Sequence, residues 1–303
     1  MQETTENPAI FIPPKAGVSE IEDAHMSWQL LAARLGLQES DQQSLASQLF
    51  ENISFTTVFF DLDGTLLPID THKFLKDYAL SLDVFMQAKG VKTQLFWPAF
   101  NKASQEMLKP RDGFTNEDEF WAQFMHELSE LYARKGLEAP SKDSCKELLE
   151  DYYRTSFEKI GPQHPALAEA AACIKNLKAK GYRVVLATMP VFPSHAVDVR
   201  LKWAGLESAD FDFITCLENQ HAAKPDKAYY QGILDTLGLH ANEVLMVGNN
   251  TFDDALCVRC GIPIYLLDNF LIAERGLDIS SLPHSSFKVF AQFIEKLPPC
   301  QRS

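Results

Sequence analysis

Five short apolar segments are the feature that most constrains the fold of this sequence. Each is rich in Val, Ile or Phe, and none alternates strictly between apolar and polar residues. That composition is typical of parallel strands that are buried on both faces of a sheet. The predicted strands are TTVFFD (56–61), YRVVLAT (182–188), FDFITC (211–216), EVLMVG (243–248) and IPIYLL (262–267).

Helical patterns separate the last four of these segments. FPSHAVDVRLKWAGL is amphipathic and ends at Gly205, a residue type that often terminates helices, and DKAYYQGILDTLGL and DDALCVRCG repeat the scheme. Strands that alternate with helices predict an α/β fold with a doubly wound, Rossmann-like parallel sheet of about five strands. Ligands of such sheets bind beyond the carboxyl ends of the strands, where we therefore expect a site.

A long insertion separates the first two predicted strands. Its Phe, Trp, Leu and Met residues recur every three or four positions, which predicts packed helices, and it is too long for a plain loop. We predict an N-terminal extension over residues 1–50, flexible and then helical, an α/β core formed by 51–68 and 166–303, and a helical cap over 69–165. The helices of the extension either pack on the core or form a docking arm for a partner.

Two carboxylates follow the first predicted strand. Asp61 and Asp63 are two residues apart, so in an extended chain both face one cleft, while Gly64 lets the backbone turn away. Two anions this close raise one another's pKa unless a cation lies between them, and Mg²⁺ is the natural hard cation for oxygen ligands. The pair alone is equally compatible with an acidic turn whose carboxylates only meet water.

Three further predicted strands also end in polar residues. Thr188 ends the second strand, where a hydroxyl with the backbone N–H of Met189 can hold a phosphoryl oxygen. Lys224 follows the third strand as a cation, although lysines are mostly solvated. After the fourth strand, Gly248 permits a turn, and amides and carboxylates cluster behind it. The sequence thus predicts a polar site along one edge of the sheet.

In this order, the four strand ends resemble the motifs of the haloacid dehalogenase-like (HAD) superfamily of hydrolases. DLDGT is similar to the first motif, LAT to the second, AKPD to the third and VGNNTFDD to the fourth, and the resemblance covers about Thr56 to Pro299. The insertion matches the family's cap in its first position. ATMPVFPSHAVDVRLKWAGL and VLMVGNNTFDDALCVRCGIPIYLLDNFLI are similar to a bacterial branch whose substrates are mostly unassigned.

The resemblance implies a role for each matched residue. Asp61 would attack phosphorus and form an aspartyl-phosphate intermediate. Asp63 would protonate the leaving oxygen and then deprotonate the attacking water. Thr188, Met189 and Lys224 would hold the transferring phosphoryl group. Within the family, the second aspartate indicates phosphoryl transfer, because carbon–halogen hydrolases lack it.

The resemblance also implies a magnesium site. Mg²⁺ would bind the carboxylate of Asp61 and the backbone carbonyl of Asp63, and would bridge to the phosphate. Asn249 and Asp254 complete the predicted metal ligands.

The fourth motif departs from the family pattern. An acidic residue usually follows the glycine directly or one place later, but here those positions are Asn249 and Asn250. An amide oxygen can ligate Mg²⁺ without bringing a negative charge, so we expect weaker metal binding. Asp253 and Asp254 remain as acidic residues, and their spacing from Gly248 favours Asp254.

Composition limits the partners of the chain. The formal net charge of -13 repels phosphate backbones and anionic lipid heads, so we expect neither nucleic acid nor a membrane surface as partner. A small phosphorylated metabolite stays possible, because a local cluster of donors can override the global field. The start MQETTENPAIFIPPK does not look like a signal peptide and the six cysteines are scattered, which predicts a cytoplasmic protein.

The preferred interpretation is a Mg²⁺-dependent phosphatase that acts on a small phosphomonoester through an aspartyl-phosphate. One alternative is a phosphomutase, which shares every core motif. The other is a phospholigand-binding protein with a weakened metal site, which Asn249 and Asn250 suggest. The substrate cannot be read from the sequence, because the cap selects it and helical periodicity does not show cap contacts.

Overall fold

The computed structural model describes residues 18–37, 42–273 and 279–301. The flexible stretch predicted at the start of the chain falls largely on residues 1–17, outside the described residues. A six-stranded sheet has the order β3-β2-β1-β4-β5-β6, and all of its neighbouring strands are parallel. The strands are β1 (Thr57–Phe60), β2 (Arg183–Leu186), β3 (Phe213–Ile214), β4 (Val244–Gly248), β5 (Ile264–Leu267) and β6 (His284–Ser285). The predicted doubly wound α/β fold is confirmed, with one more short strand than expected.

Helices cover both faces of the sheet and form the insertion. Their bounds are α1 (Val18–Arg34), α2 (Gln42–Asn52), α3 (Thr71–Ala88), α4 (Thr93–Glu106), α5 (Asn116–Ala133), α6 (Lys142–Thr155), α7 (Ala168–Ala179), α8 (Ser194–Trp203), α9 (Lys227–Leu237) and α10 (Phe287–Lys296). The DDALCVRCG segment forms a 3₁₀ helix over Ala255–Cys260 instead of an α-helix. Within the described ranges, no helix combines the length and apolarity that crossing a bilayer requires.

The central strand β1 explains why the predicted strands lack polar alternation. Its neighbours are β2 and β4, and Val58, Phe59 and Phe60 are all fully buried. Val58 and Phe60 face a cluster that includes α7 and α10, whereas Phe59 faces a second cluster that includes α1 and α9. Because both faces are covered, each position along the strand needs an apolar side chain.

The two N-terminal helices pack on the core, on opposite faces of the sheet. Trp28 of α1 is buried and donates its indole N–H to the carbonyl of Ser281 at 2.9 Å. In α2, Leu49 is buried, and Phe50 stacks on Phe293 with 4.9 Å between ring centroids. Helices α1 and α2 therefore contribute to the hydrophobic core, as the first of the two alternatives for the extension expects.

The insertion consists of α3 to α6 and leaves the core through two adjacent connections. The backbone N–H of Asp70 donates to the Gln163 side chain at 2.9 Å, and Gln163 donates back to the Asp70 carbonyl at 3.2 Å. Phe74 of α3 packs against Phe192 and Trp203 of the core, with centroid distances of 5.8 and 6.2 Å. The insertion thus shares a hydrophobic cluster with the core, and its boundaries at residues 69 and 165 stay a prediction.

Candidate active site

Asp61 lies at the carboxyl end of β1, in the middle of the sheet. Its backbone N–H donates to the carbonyl of Val247 at 2.9 Å, so the β1–β4 ladder positions it directly. Its side chain keeps 11% of its surface exposed, and Lys224 Nζ donates to its Oδ1 at 2.8 Å. Asp61 is thus a partly accessible carboxylate held beside a buried cation.

Lys224 is buried between two carboxylates. Its side chain is 1% exposed, and its Nζ lies 2.8 Å from Asp61 and 2.6 Å from Asp254. Burial opposes the charge of Lys224, but the carboxylates of Asp254 and Asp61 outweigh it and raise the pKa of Lys224 well above its usual value. Burial also raises the pKa of Asp61 to about 7, against the influence of Lys224. Asp61, Lys224 and Asp254 therefore form one buried cluster of interacting charges.

Asp254 closes the loop that follows β4. Its Oδ2 accepts the backbone N–H groups of Asn249 and Asn250, both at 3.0 Å, while its Oδ1 accepts from Lys224. A Cβ at Gly248 would lie 2.2 Å from this Oδ2, so only glycine allows the approach. Asp254 rather than its neighbour Asp253 therefore contacts the lysine, in agreement with the spacing argument, and its role as a metal ligand stays a prediction.

Asn249 joins the loop after β4 to the turn after β1. Its Oδ1 accepts from the hydroxyl of Thr65 at 3.1 Å, and its Nδ2 donates to the carbonyl of Phe270 at 2.6 Å. The turn at Gly64 has φ of +83°, and a Cβ there would lie 2.2 Å from Asn249 Nδ2. The two loops fit together only because Gly64 has no side chain.

Replacing Gly64 by alanine should destabilise the protein more than the same change at Gly90. Both glycines have positive φ, +83° and +76°, but a Cβ at Gly90 has no heavy atom within 4 Å whereas one at Gly64 meets Asn249. We expect Gly64→Ala to lower the free energy of unfolding by about 1–3 kcal/mol beyond Gly90→Ala, measured by urea denaturation. Equal losses in the two variants would show that the close contact with Asn249 is unimportant.

Thr188 follows β2, and its buried hydroxyl makes no hydrogen bond to the described residues. The residue is 1% exposed, and its Oγ1 has no hydrogen-bond partner among the described residues. Its carbonyl accepts from Thr215 Oγ1 at 2.9 Å and from the Tyr229 hydroxyl at 2.8 Å. Met189 accepts from the N–H of Val191 at 2.9 Å, which makes a tight turn. Because an unpaired buried hydroxyl is costly, Thr188 is suited to a ligand oxygen.

Asp63 turns towards a residue that sequence reasoning missed. Its Oδ2 accepts a short hydrogen bond from Nη1 of Arg200, which lies on α8 and is fully buried. Burial raises the pKa of Asp63, while Arg200 and Lys224 lower it. A signal was present, because Arg200 falls on the apolar face of α8 predicted by helical spacing. That face is formed by Ala196, Val197 and Leu201.

A second missed residue connects the insertion to the core loops. Asn116, the first residue of α5, is fully buried. Its Nδ2 donates to the carbonyls of Pro190 at 3.3 Å and Ala222 at 3.1 Å. These carbonyls lie in the loops that carry Thr188 and Lys224, so one amide from the insertion holds both loops. No local sequence pattern distinguishes Asn116 from any other residue at a helix start.

The groups around Asp61 have the chemistry of a hard-cation site. Asp61 offers carboxylate oxygens, and Asp63 Oδ1 is buried and has no partner within the described residues. Asp254 already accepts three N–H donors, and Asn249 Oδ1 already accepts one hydroxyl. Over the described ranges, no three His, Cys, Asp or Glu side chains form a metal cluster. Among these groups, the Asp61 carboxylate and the unpartnered Asp63 Oδ1 therefore have the most acceptor capacity left for a hard cation such as Mg²⁺.

Comparisons with known proteins identify the family of the chain. A family model described as haloacid dehalogenase-like hydrolase matches residues 55–258. The pyrophosphatase PpaX of Bacillus cereus is 26% identical over 201 residues, which are 66% of this chain and 77% of that protein. The phosphoglycolate phosphatase of Rhodospirillum rubrum is 31% identical over 99 residues, which are 32% of this chain and 39% of that protein.

A solved structure shows the same fold. The 2-haloacid dehalogenase of Pseudomonas syringae pv. Tomato superposes with a TM-score of 0.53 at 17% identity, and the match covers 79% of this chain and 98% of that one. Identity this low supports the architecture and carries no argument about substrate.

Proposed function

The chain belongs to the haloacid dehalogenase-like hydrolases, and we propose that it is a phosphatase that hydrolyses a small phosphomonoester. The contact of Asp61 with the buried Lys224, with a second aspartate two residues further on, carries the proposal. The names of the two related proteins, a pyrophosphatase and a phosphoglycolate phosphatase, support it.

In the first half-reaction, an oxygen of Asp61 attacks phosphorus and displaces the ester oxygen. The P–O ester bond breaks, and the phosphoryl group becomes bound to Asp61 as a mixed anhydride. The phosphoryl oxygens need donors as the group is transferred, and the Thr188 hydroxyl and Lys224 Nζ supply them. Lys224 also stabilises the ionised form of Asp61 that the attack requires, against the effect of burial.

Asp63 moves the protons. It donates one to the departing alkoxide oxygen and becomes a carboxylate. It then accepts a proton from the water that attacks the phosphoryl group. Inorganic phosphate leaves, and Asp61 returns as a free carboxylate. Both steps need Asp63 near the same face of the phosphoryl group, where its position two residues after Asp61 can bring it.

Mg²⁺ is the cofactor that this proposal requires. The Asp61 carboxylate and the Asp63 backbone carbonyl would hold it, with Asn249 and Asp254 as the other predicted ligands. When bound, it would supply the positive charge that lets the anionic Asp61 carboxylate and the anionic substrate approach one another.

Phosphate release from p-nitrophenyl phosphate tests the proposal. We expect turnover with Mg²⁺ and loss of turnover in EDTA that added Mg²⁺ restores. A panel of phosphorylated metabolites would then identify the preferred ester. Absence of turnover on every ester would contradict the proposal, and a phosphoryl group moved within a sugar phosphate would identify a mutase instead.

The contribution of Asp61 to the stability of the metal-free protein should fall as the pH rises. Burial raises the pKa of Asp61 from 3.8 to about 7, so the folded state binds more protons than the unfolded chain between these values. The resulting stabilisation is complete below about pH 4 and is lost as the pH passes about 7. In EDTA, we expect the Tm of the wild type, relative to Asp61→Asn, to decrease from pH 5 to pH 8. An increase would contradict the assigned direction.

A further inference from the structure

Arg200 is the largest fully buried side chain of the described protein. Only its Nη1 donates to a carboxylate, that of Asp63, while Nε and Nη2 are buried without an acceptor among the described residues. Burying a guanidinium in this way costs free energy that a single ion pair scarcely offsets. If position 200 only stabilised the fold, an apolar side chain would serve it better. The contact of Arg200 with Asp63 therefore indicates a role other than stability.

Two aromatic rings fix the position of the guanidinium. Its Cζ lies 4.5 Å from the ring centroid of Phe192 and 5.9 Å from that of Phe74. Phe192 follows the turn that begins at Thr188, and Phe74 belongs to α3 of the insertion. Cation–π contacts of this kind stabilise a desolvated guanidinium and restrict where it can point. Arg200 is thus a rigid group on which another side chain can be oriented.

The oriented side chain is Asp63. Its Oδ2 is bound to Arg200, and its Oδ1 has no donor within the described ranges. The Asp63 side chain is 14% exposed, although Oδ1 itself is buried, whereas that of Arg200 is 1% exposed. Arg200 itself is too deeply buried to contact a substrate, and it can act on the reaction only through Asp63.

We propose that Arg200 is a positioning residue that holds the Asp63 carboxyl group in place for proton transfer to the leaving oxygen. The proposal rests on the role of Asp63 under the proposed function. A proton donor acts only within hydrogen-bond reach of the oxygen it protonates, and small misplacements are expensive. Loss of Arg200 should therefore matter most for esters whose leaving group cannot depart without a proton.

Aryl phosphates whose leaving phenols differ in acidity test this inference. p-Nitrophenolate departs readily without protonation, whereas phenolate and p-methoxyphenolate depend on it. We expect Arg200→Met to lower kcat/KM for phenyl phosphate at least about tenfold more than for p-nitrophenyl phosphate, because kcat/KM reports the step in which the leaving group departs. In Arg200→Lys, which keeps a cation, the difference in kcat/KM loss between the two esters should be smaller than in Arg200→Met. The exposed Lys202 on the same helix supplies the control, Lys202→Met, with no expected change.

The outcomes separate this inference from the proposed function. Equal losses on all three esters, or no loss, would overturn the positioning role while leaving the phosphatase intact. A wild type without turnover on any ester would overturn both. If Arg200→Met fails to fold, Phe192→Leu removes the ring nearest the guanidinium but leaves its charge. In Phe192→Leu, kcat/KM should again fall more for phenyl phosphate than for p-nitrophenyl phosphate, by a smaller ratio than in Arg200→Met. An equal fall on both esters would again overturn the inference.

Discussion

Asp61→Asn should lower kcat for p-nitrophenyl phosphate by at least about 10⁴-fold, which is the largest effect that we expect from any single substitution. The amide is nearly isosteric with the carboxylate but cannot displace an ester oxygen from phosphorus. Lys224 can still donate to the amide oxygen, since its contact is with Oδ1. The variant should therefore stay folded, and a loss of turnover at an unchanged far-UV circular dichroism spectrum is the measurement.

A half-buried aspartate of the insertion supplies the matched control for this substitution. Within the described part of the chain, Asp77 on α3 forms its ion pair with Lys73 at the surface, so Asp77→Asn should keep wild-type turnover. If Asp61→Asn kept more than about a tenth of the wild-type rate, the nucleophile would have to be another group.

Lys224→Met should destabilise the protein by about 3–5 kcal/mol in metal-free buffer, because it leaves the carboxylates of Asp61 and Asp254 buried without their cation. The methionine fills a similar volume, so packing is largely kept and the loss is mainly electrostatic. Urea denaturation measures the free energy of unfolding. The loss should be smaller at pH 5 than at pH 8, because burial raises the pKa of Asp61 to about 7 and its protonated carboxyl group no longer needs a cation.

Two further variants isolate the electrostatic cause. Lys227→Met removes a half-exposed lysine that pairs weakly with Asp23 at 3.4 Å, and should cost less than about 1 kcal/mol. The double variant Lys224→Met/Asp254→Asn removes one of the orphaned charges and should recover part of the stability. A loss for Lys224→Met no larger than the Lys227 control would show that the buried pairs contribute nothing.

The sheet could be predicted from the sequence because its strands are buried on both faces. Such strands read as continuous apolar runs, and the helices between them fix a parallel order. Strand β6 was missed since it contains only His284 and Ser285, neither of which is apolar. It is joined to the sheet by pairing with Leu266 and Leu267, a tertiary contact that leaves no periodic pattern in the sequence.

The site residues that could be predicted are the charged residues that directly follow a predicted strand. Asp61 and Lys224 were expected together, and they are in direct contact. Arg200 was not expected, because a charged residue in an amphipathic helix is ordinarily assigned to the solvent face. Asn116 was not expected either, since its partners are carbonyls distant in sequence. Helical spacing places Arg200 on the apolar face of α8, but the partners of both residues depend on how the insertion and the helices dock, which local patterns do not encode.

Trapping of the phosphorylated protein tests the central role of Asp61 most directly. The wild type would be mixed with excess p-nitrophenyl phosphate and Mg²⁺, quenched in acid within the first turnovers, digested and analysed by mass spectrometry. We expect one phosphoryl group on the peptide that contains Asp61, removed by hydroxylamine and missing from the Asp61→Asn variant. Phosphate release with no protein-bound phosphoryl group, or with the group on another residue, would contradict the account.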